Sequence, residues 1–362
     1  MMPTSHPFFS IIVPCCDVEP YVRESLDSVL NQSFTAWECI IGVETSKDKT
    51  EEIVREYEAK DSRFRVFTGP RSGSCSASRN TGTDLATGEY VIFLDGDDTI
   101  AEGSLQRLHD KIATRPGADL YPCAMPVHNE MTGKDEPTRD NYPADFNGEL
   151  TGPEATLMVY RHQQNPCPML QLSVFRREFL LANDLKCIHG LRRQDSEFSP
   201  RALYLAKRVI PLHEPFYLYR IQAASVGSAA RGAGYFHRDW AIILRSLLAF
   251  HAKVSTEPGF NTQISQHWAR QWTQLIFFFW FFPRNIDKIP RTLRVETLEV
   301  LFSNGFNDFN LLIAAIPQKS KRLLAWWLRQ FIRHPSMRFF SEWFFKCYFF
   351  LAGLKCKEEM AQ

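Results

Sequence analysis

Short apolar runs alternate with amphipathic stretches through the first hundred residues of the chain. The runs Phe8–Val13, Glu38–Val43 and Tyr90–Leu94 are rich in β-branched and aromatic residues, which is typical of strands buried on both faces. The first run is predicted to stop at Pro14, and a helix with one apolar face is predicted to begin near Pro20. Because strands and helices alternate, the pattern predicts an α/β fold with a Rossmann-like, mostly parallel sheet flanked by helices.

Three carboxylates follow directly on the strand Tyr90–Leu94. Asp95, Asp97 and Asp98 stand where this strand ends, and ligands of open α/β sheets bind beyond the carboxyl ends of the strands. Like charges packed there repel one another, so the cluster favours a bound cation. Oxygen ligands suit a hard divalent ion such as Mg²⁺ or Mn²⁺. The alternative for an isolated Asp-x-Asp is a solvated acidic turn that caps the next helix.

Several motifs, in their order and spacing, resemble the family 2 glycosyltransferases of GT-A fold. They are the strand Ser10–Pro14, the helical Ala77–Gly82, the strand Gly88–Leu94 and the acidic Asp95–Asp98. The resemblance covers roughly residues 8–228. It implies an inverting transferase that uses a nucleotide-activated sugar, most often a UDP-sugar, with a divalent metal held by the Asp-x-Asp motif.

The resemblance also implies roles on the donor side of the site. Asp95 would hydrogen-bond the ribose, and Asp97 would bind the metal that bridges the two phosphates. Arg79 resembles the family arginine that reaches the base or the phosphates, with an ordinary salt bridge on the helix surface as the alternative. Pro14 resembles the edge of the base pocket, and Asp98 would support the site through water or by capping the next helix.

Two segments depart from the family pattern at the nucleotide pocket. Cys15–Asp17 stands where the family usually places a pair such as Tyr-Asn, and Val43–Ser46 stands where it shows Asp-Asp-Gly-Ser. Aligning Ser46 with the family serine puts Glu44 at the aspartate that reads the base edge. A glutamate can accept from a ring N–H, but its longer side chain shifts the geometry. A solvated loop carboxylate is the alternative.

A second acidic motif lies in the stretch Arg192–Phe198. There Gln194 replaces the usual glutamate of the family, and Asp195 keeps the position after it. An inverting transfer needs one general base to take the proton of the acceptor hydroxyl, and Asp195 is the candidate. Glu197 is the alternative base, and capping of the following helix is the alternative role of Asp195.

Two further residues, His213 and Arg220, lie in the returning segment that ends in Tyr-Arg. Each is compatible with a contact to the donor phosphates and with a purely structural role. The residue types alone do not decide between these roles.

Beyond about Gly234 the sequence becomes aromatic-rich and helical in pattern. Basic residues interleave with Trp and Phe over 318–357, which is typical of a segment that lies on an anionic membrane. Packing of these aromatics on the catalytic domain is the alternative, and no nucleic-acid motif accompanies the charge. The predicted organisation is a catalytic domain at 1–233, made of a nucleotide-sugar half at 8–98 and an acceptor side at 99–233, and a helical C-terminal region at 234–362.

The composition is that of a globular protein, but it does not identify a function. The chain of 362 residues is 44% hydrophobic and can bury one large core and a smaller second one. Its net charge of +1 excludes no class of partner. The nine cysteines are scattered, and Met1–Pro7 is too short for a signal peptide. We therefore expect a cytoplasmic protein, with peripheral attachment to the inner face of the cell membrane as a further expectation.

The resemblance to the family 2 glycosyltransferases therefore implies a metal-dependent, inverting enzyme that moves a hexosyl or N-acetylhexosaminyl group from a nucleotide-sugar, expected to be a UDP-sugar, to a glycan or lipid-linked acceptor. Its setting, by analogy only, would be bacterial surface-polysaccharide synthesis. A non-catalytic nucleotide-sugar-binding or assembly protein is favoured by Glu44 and Gln194 but opposed by Asp97 and Asp195. A nucleotidyltransferase would need a glycine-rich phosphate loop after the first strand, and Pro14–Asp17 is not one.

Overall fold

The computed structural model describes residues 6–163, 169–222, 235–265 and 267–268. The chain divides into two compact units, Met1–Ser228 and Ala229–Gln362. The strands of the first unit are β1 (Phe9–Cys15), β2 (Trp37–Glu44), β3 (Phe64–Gly69), β4 (Tyr90–Phe93), β5 (Thr99–Ile100), β6 (Leu120–Pro122), β7 (Met125–Asn129), β8 (Lys134–Arg139), β9 (Ser173–Arg176) and β10 (Tyr217–Ile221). Its helices are α1 (Glu19–Leu30), α2 (Thr50–Lys60), α3 (Ser76–Leu85), α4 (Ser104–Thr114), α5 (Gly152–His162), α6 (Arg177–Ala182) and α7 (Gln194–Leu205).

The main sheet has six strands in the order β3-β2-β1-β4-β9-β6. The strands β3, β2, β1 and β4 are parallel, whereas β9 runs antiparallel to both of its neighbours. This confirms the predicted α/β fold with a mostly parallel sheet. The chain adds strands on one side of β1 and then returns to add β4 on the other side. Ligands of such sheets bind at this reversal, beyond the carboxyl ends of the strands.

A second sheet has the order β5-β10-β7-β8. Its strand β5 begins at Thr99, directly after the three aspartates, and β10 pairs with it antiparallel, with Tyr217 opposite Ile100. This pairing brings the first residues of β10 beside the end of β4. The second sheet therefore supplies one wall of the region that contains the aspartates.

The first strand continues through Pro14 to Cys15, so the predicted end before Pro14 was wrong. The N–H of Leu94 donates to the carbonyl of Ile12 (3.0 Å), which shows that Ile12 turns its backbone polar groups toward β4. Two residues further along β1, the backbone nitrogen of Pro14 points to the same side of the strand. The pairing of β1 with β4, however, ends at Ile12. The missing N–H of the proline thus removes no bond of the sheet.

Helix α3 packs closely on β1 and β2 because glycines stand at both contacts. A Cβ on Gly82 would lie 2.5 Å from Cγ2 of Ile12, and a Cβ on Gly42 would lie 2.7 Å from Cβ of Ser78. Either methyl group would push the helix away from the sheet. Arg79 follows Ser78 on α3, and the close approach of this helix to the sheet buries the arginine side chain.

Glu38, which is buried in β2, joins the first residues of the four parallel strands. Its Oε1 accepts from Oγ of Ser10 in β1 (2.7 Å) and from the N–H of Thr87 before β4 (2.6 Å). Its Oε2 accepts from Nη1 of Arg65 in β3 (2.7 Å). Burial alone would raise the pKa of Glu38, but these bonds together lower it below its ordinary value. The ionised carboxylate therefore stabilises the fold.

Glu38→Gln should lower the free energy of unfolding at neutral pH by about 1–3 kcal/mol, because charge-assisted bonds are lost in a buried place. A lowered pKa contributes stability above the unfolded-state value, and that contribution disappears as the pH falls through the folded-state value. The gap between wild type and variant should therefore close in acid. Urea unfolding followed by circular dichroism would measure it, with the exposed neighbour Glu89→Gln as the matched control. A gap that is independent of pH would contradict this role.

In the second unit, helix α8 spans Tyr235–Val254, at the start of the region that the sequence predicted to be helical. The part of this region beyond residue 268, including the basic and aromatic segment 318–357, lies outside the described residues. Within the part of the chain that the structure describes, no helix combines the length and the apolarity needed to cross a bilayer. Peripheral attachment to a membrane and the domain boundary after residue 233 stay predictions.

Candidate active site

Three carboxylates converge at the carboxyl end of β4. Oxygens of Asp95, Asp97 and Asp98, which we call the acidic cluster, lie within 4.8 Å of one another. The N–H of Asp98 donates to the carbonyl of Asp95 (3.0 Å) and closes the turn that brings them together. A Cβ on Gly96 would lie 3.2 Å from the carbonyl oxygen of Pro14, so this turn packs against the end of β1. The acidic cluster therefore lies between β1 and β4, where the strand order reverses.

Asp98 is the innermost carboxylate and is only 1% exposed. Its Oδ2 accepts from the hydroxyl of Tyr217 (2.5 Å), and its Oδ1 accepts from the N–H of Arg220 (2.7 Å). Burial, followed by the charges of Asp97 and Asp95, raises the pKa of Asp98 well above its ordinary value. Both partners come from β10, so Asp98 joins the second sheet to the end of β4. Asp98 thus supports the site through its bonds to β10, whereas the sequence predicted support through water or by capping the next helix.

Asp97 is half-buried, and its surroundings fit a metal ligand. Burial and then the charge of Asp95 raise the pKa of Asp97. Its Oδ2 accepts from Nε2 of Gln222 (2.7 Å). The amide oxygen of Gln222 is also buried and has no hydrogen-bond partner within the described part of the chain. Oxygen donors crowded at one place, with negative charge in excess, are what a hard divalent cation requires.

Arg79 is buried beside the acidic cluster, at 2% exposure, and does not form the surface salt bridge considered from the sequence. Its Nη2 donates to Oδ1 of Asp95. The other carboxylate oxygen of Asp95 accepts from Nε2 of Gln171 (2.6 Å), and the N–H of Asp95 donates to the hydroxyl of Tyr217 (3.2 Å). Asp95 is thus held on three sides, and a guanidinium supplies positive charge next to the acidic cluster.

Gln171 and Gln222 were not singled out from the sequence. Gln171 lies just before β9, which pairs with β4, and Gln222 directly follows β10. Their only signal is this position in the sheets, which requires the pairing of strands far apart in the sequence. A lone glutamine has no spacing or composition that marks it.

Glu44 ends β2 and is 5% exposed, so it is not a solvated loop carboxylate. Its Oε2 accepts from the N–H of Ser72 (2.8 Å), and its Oε1 accepts from Oγ of Ser72 (2.5 Å). Next to it, Asp17 accepts from the N–H of Lys47 (2.7 Å) and pairs with Arg71 (2.6 Å). These contacts join the loops after β1, β2 and β3 along the edge of the sheet that also holds the acidic cluster.

The two candidate bases have different surroundings. Glu197 is fully buried and accepts from Nε (2.6 Å) and Nη2 (2.8 Å) of Arg201. Asp195 is half-buried in the first turn of α7, where its Oδ1 accepts from the N–H of Ser196 (2.9 Å). Burial raises the pKa of Asp195, and the charge of Arg79 partly offsets that rise. Of the two carboxylates, Asp195 is the one whose surroundings suit a general base.

His213 and Arg220 have different partners. The ring of His213 contacts Oδ2 of Asp140 through Nδ1 (2.6 Å) and the carbonyl of Phe146 through Nε2 (2.8 Å), which is a structural role. Nε of Arg220 donates to the carbonyl of Asp97 (3.1 Å), so this arginine lies beside the acidic cluster. Its guanidinium also pairs with two glutamates at 2.6 Å.

Comparison with known proteins finds a family model that matches the N-terminal part of the sequence. Residues 10–182 match the family model described as Glycosyl transferase family 2. The uncharacterized glycosyltransferase EpsJ of Bacillus subtilis (strain 168) is 32% identical over 216 residues, which cover 59% of this chain and 61% of EpsJ. The minor teichoic acid biosynthesis protein GgaB of the same strain is 36% identical over 102 residues, or 28% of this chain and 11% of GgaB. The match thus spans about three fifths of EpsJ and a small part of GgaB.

Comparison of the structure finds the same fold in a solved protein. The crystal structure of residues 1–349 of S. aureus TarS, in complex with UDP-GlcNAc, superposes with a TM-score of 0.70. The two sequences are 19% identical, and the superposition covers 95% of this chain and 92% of the TarS chain. At this identity the likeness shows that the fold is shared.

Asp97→Asn should weaken the binding of Mn²⁺ at least about tenfold, because even the loss of a partner that only orients a ligand costs about 10–100-fold. The asparagine keeps the size of the side chain and can still accept from Gln222. Calorimetric titration of Mn²⁺ in the presence of UDP would measure the affinity. The matched control is Asp110→Asn, at an exposed carboxylate on α4. If the two variants bind Mn²⁺ with equal affinity, Asp97 is not a metal ligand.

Proposed function

Because residues 10–182 belong to glycosyl transferase family 2, we propose that this protein transfers a sugar from a nucleotide-diphospho-sugar to a hydroxyl of an acceptor, with inversion at the anomeric carbon. The observation that carries the proposal is that Arg79 interacts with carboxylates of both acidic motifs. It contacts Asp95 directly, and its charge opposes the rise that burial causes in the pKa of Asp195. A transferase needs a place for the leaving diphosphate and a base for the acceptor, and Arg79 interacts with the carboxylates proposed for both.

The proposed donor site is the carboxyl edge of the main sheet, and the proposed donor is a UDP-sugar that carries a hexose or N-acetylhexosamine. TarS, which shares the fold, was solved with UDP-GlcNAc, and this supports the choice of nucleotide. Pro14 and Glu44 would contact the base, and Asp95 would hydrogen-bond the ribose. Ser72 occupies one direction at each oxygen of Glu44. Each oxygen keeps a lone pair that a ring N–H can use.

The proposed metal ligand is Asp97, and the proposed ion is Mn²⁺ or Mg²⁺. When bound, the metal stabilises the negative charge that develops on the leaving diphosphate. The protein fixes the ligand beforehand, since Gln222 holds Oδ2 of Asp97 and the bonds of Asp98 hold the turn. The positions of the carboxylates are therefore set before a donor enters.

The proposed base is Asp195. As the acceptor oxygen attacks the anomeric carbon, the bond from that carbon to the diphosphate breaks and the hydroxyl proton passes to Asp195. Burial raises the pKa of Asp195, and the charge of Arg79 opposes that rise and so favours the ionised form that can accept a proton.

The proposed acceptor is a glycan or a lipid-linked glycan in the synthesis of a bacterial surface polysaccharide or teichoic acid. The similarity to part of GgaB, a minor teichoic acid biosynthesis protein, supports this setting. The second half of the first unit, from β5 to β10, lies beside the donor edge and would bind the acceptor.

The proposal is tested by incubating the full chain and Mn²⁺ with UDP-glucose, UDP-galactose, UDP-GlcNAc, UDP-GalNAc and GDP-mannose in turn. Release of nucleoside diphosphate by one donor, abolished by EDTA, is the expected result. Binding of a donor without release, with and without added glycan acceptors, would favour a non-catalytic binding protein. Absence of both binding and release would overturn the proposal.

Asp195→Asn should lower kcat by about 10²–10⁴, because it removes the proton acceptor and keeps the shape. The affinity for the donor should stay close to that of wild type. Because the pKa of Asp195 is raised, wild-type kcat/KM should fall in acid at a pH above the ordinary pKa of an aspartate. Steady-state kinetics over a range of pH would show both effects.

Glu197→Gln is the matched variant on the same turn of α7. It breaks a buried ion pair with Arg201, so it should lower stability and leave the kcat of the folded fraction near wild type. If this variant instead loses turnover while Asp195→Asn keeps it, Glu197 is the base.

A further inference from the structure

Helix α3 holds the segment of chain that leads to Asp195. The side chain of Asn80 makes two bonds to the backbone of Cys187: Nδ2 donates to its carbonyl (2.8 Å) and Oδ1 accepts from its N–H (2.8 Å). One turn earlier on the helix, Oγ of Ser76 donates to the carbonyl of Leu191 (3.1 Å). We call residues 187–193 the approach segment. Its path is fixed by one face of α3.

Gln194 makes the third contact with this face of α3, and it is only 3% exposed. The orientation of the amide that satisfies both of its ends has the oxygen accept from Nη1 of Arg79 and the nitrogen donate to the carbonyls of Leu191 (2.6 Å) and Arg192 (2.9 Å). Arg79 uses its other terminal nitrogen for Asp95. A continuous series of side chains, Asp95–Arg79–Gln194, therefore runs from the end of β4 to the residue before Asp195.

We propose that Gln194 is a positioning residue that fixes the proposed base, Asp195, relative to the acidic cluster by way of Arg79. The inference rests on the proposed function, since it takes Asp195 as the base. An amide can accept from Arg79 and donate to the backbone at the same time, whereas a carboxylate could only accept. A neutral group also leaves the positive charge of Arg79 to Asp95 and Asp195 alone.

The pKa of Asp195 depends on the charged groups that surround it, and Arg79 is one of them. Burial is the largest influence on its pKa and raises it, Arg79 and Arg193 lower it, and Asp95 raises it. The two neighbouring thiols stay protonated at neutral pH, because burial raises the pKa of Cys75 to about 11 and that of Cys187 to about 12. The charged and titratable groups that face Asp195 are thus Arg79, Arg193, Asp95, Cys75 and Cys187.

Gln194→Glu should move the fall of kcat/KM in acid, which we call the acid limb, to higher pH by about one unit. The new carboxylate adds negative charge beside Asp195 and competes with it for the positive charge of Arg79. Turnover should return to within a few-fold of wild type above that limb. The matched control is Gln106→Glu on α4, which makes the same change of charge away from the acidic cluster and should leave the limb in place. A loss of turnover that is uniform over pH would overturn the positioning role.

If the buried charge of Gln194→Glu prevents folding, a second variant without that charge tests the same proposal. Gln194→Met preserves the volume and removes both hydrogen bonds, so kcat should fall about 10–100-fold through displacement of Asp195. The affinity for UDP with Mn²⁺ should not change, since Asp97 and the pair of Arg79 with Asp95 remain. An unchanged kcat, or an equal loss of kcat and of UDP affinity, would contradict the proposal.

NMR titration of ¹³C-labelled aspartate carboxyls separates this inference from the proposed function, because it needs no substrate. The resonance of Asp195 is identified by its absence in Asp195→Asn. A higher pKa of Asp195 in Gln194→Glu supports the link through Arg79, even if the wild type releases no nucleotide and the proposed function fails. An active wild type whose Asp195 titrates identically with and without Gln194→Glu would overturn the link alone.

Discussion

The repulsion within the acidic cluster is the constraint on which the N-terminal unit depends. Three carboxylates with oxygens within 4.8 Å of one another would separate unless other groups held them. Their partners come from different parts of the chain: Arg79 from α3, Gln171 from the segment before β9, and Tyr217 from β10. The same bonds that hold the carboxylates also fix these elements around the end of β4. Fold and site are therefore stabilised by one set of contacts.

Arg79 is the most demanding of these partners, because it is a buried cation. Its Nε has no hydrogen-bond partner among the described residues, while its two terminal nitrogens contact Asp95 and Gln194. A planar guanidinium can point to two groups at a fixed angle, which an ammonium cannot do. The residue type thus follows from the need to reach two elements at once. The close packing of α3 on β1, which Gly82 permits, places the guanidinium at the required depth.

Local signals in the sequence predicted the features that adjacent residues determine. The apolar run before Asp95 and the acidic residues after it predicted β4 and the acidic cluster, because strand and cluster are continuous in the chain. Gln171 and Gln222 escaped prediction, since they reach the cluster through strand pairings that no local pattern encodes. The sequence also favoured Asp195 as the base but left Glu197 open as the alternative. Their difference lies in burial and in ion pairing with the next turn of α7, which spacing does not reveal.

Glu38 lies at the opposite end of the sheet from the acidic cluster, and this separation bears on how such a protein can diverge. The register of β1 to β4 is fixed where the strands begin, by bonds to one carboxylate. The loops that follow the carboxyl ends of the strands do not set this register. The short segments Cys16–Asp17 and Thr45–Ser46, which follow β1 and β2, can therefore change without a slip of any strand. Substitutions in these loops could therefore alter what binds at the carboxyl edge of the sheet without disturbing the contacts that set the register of the strands.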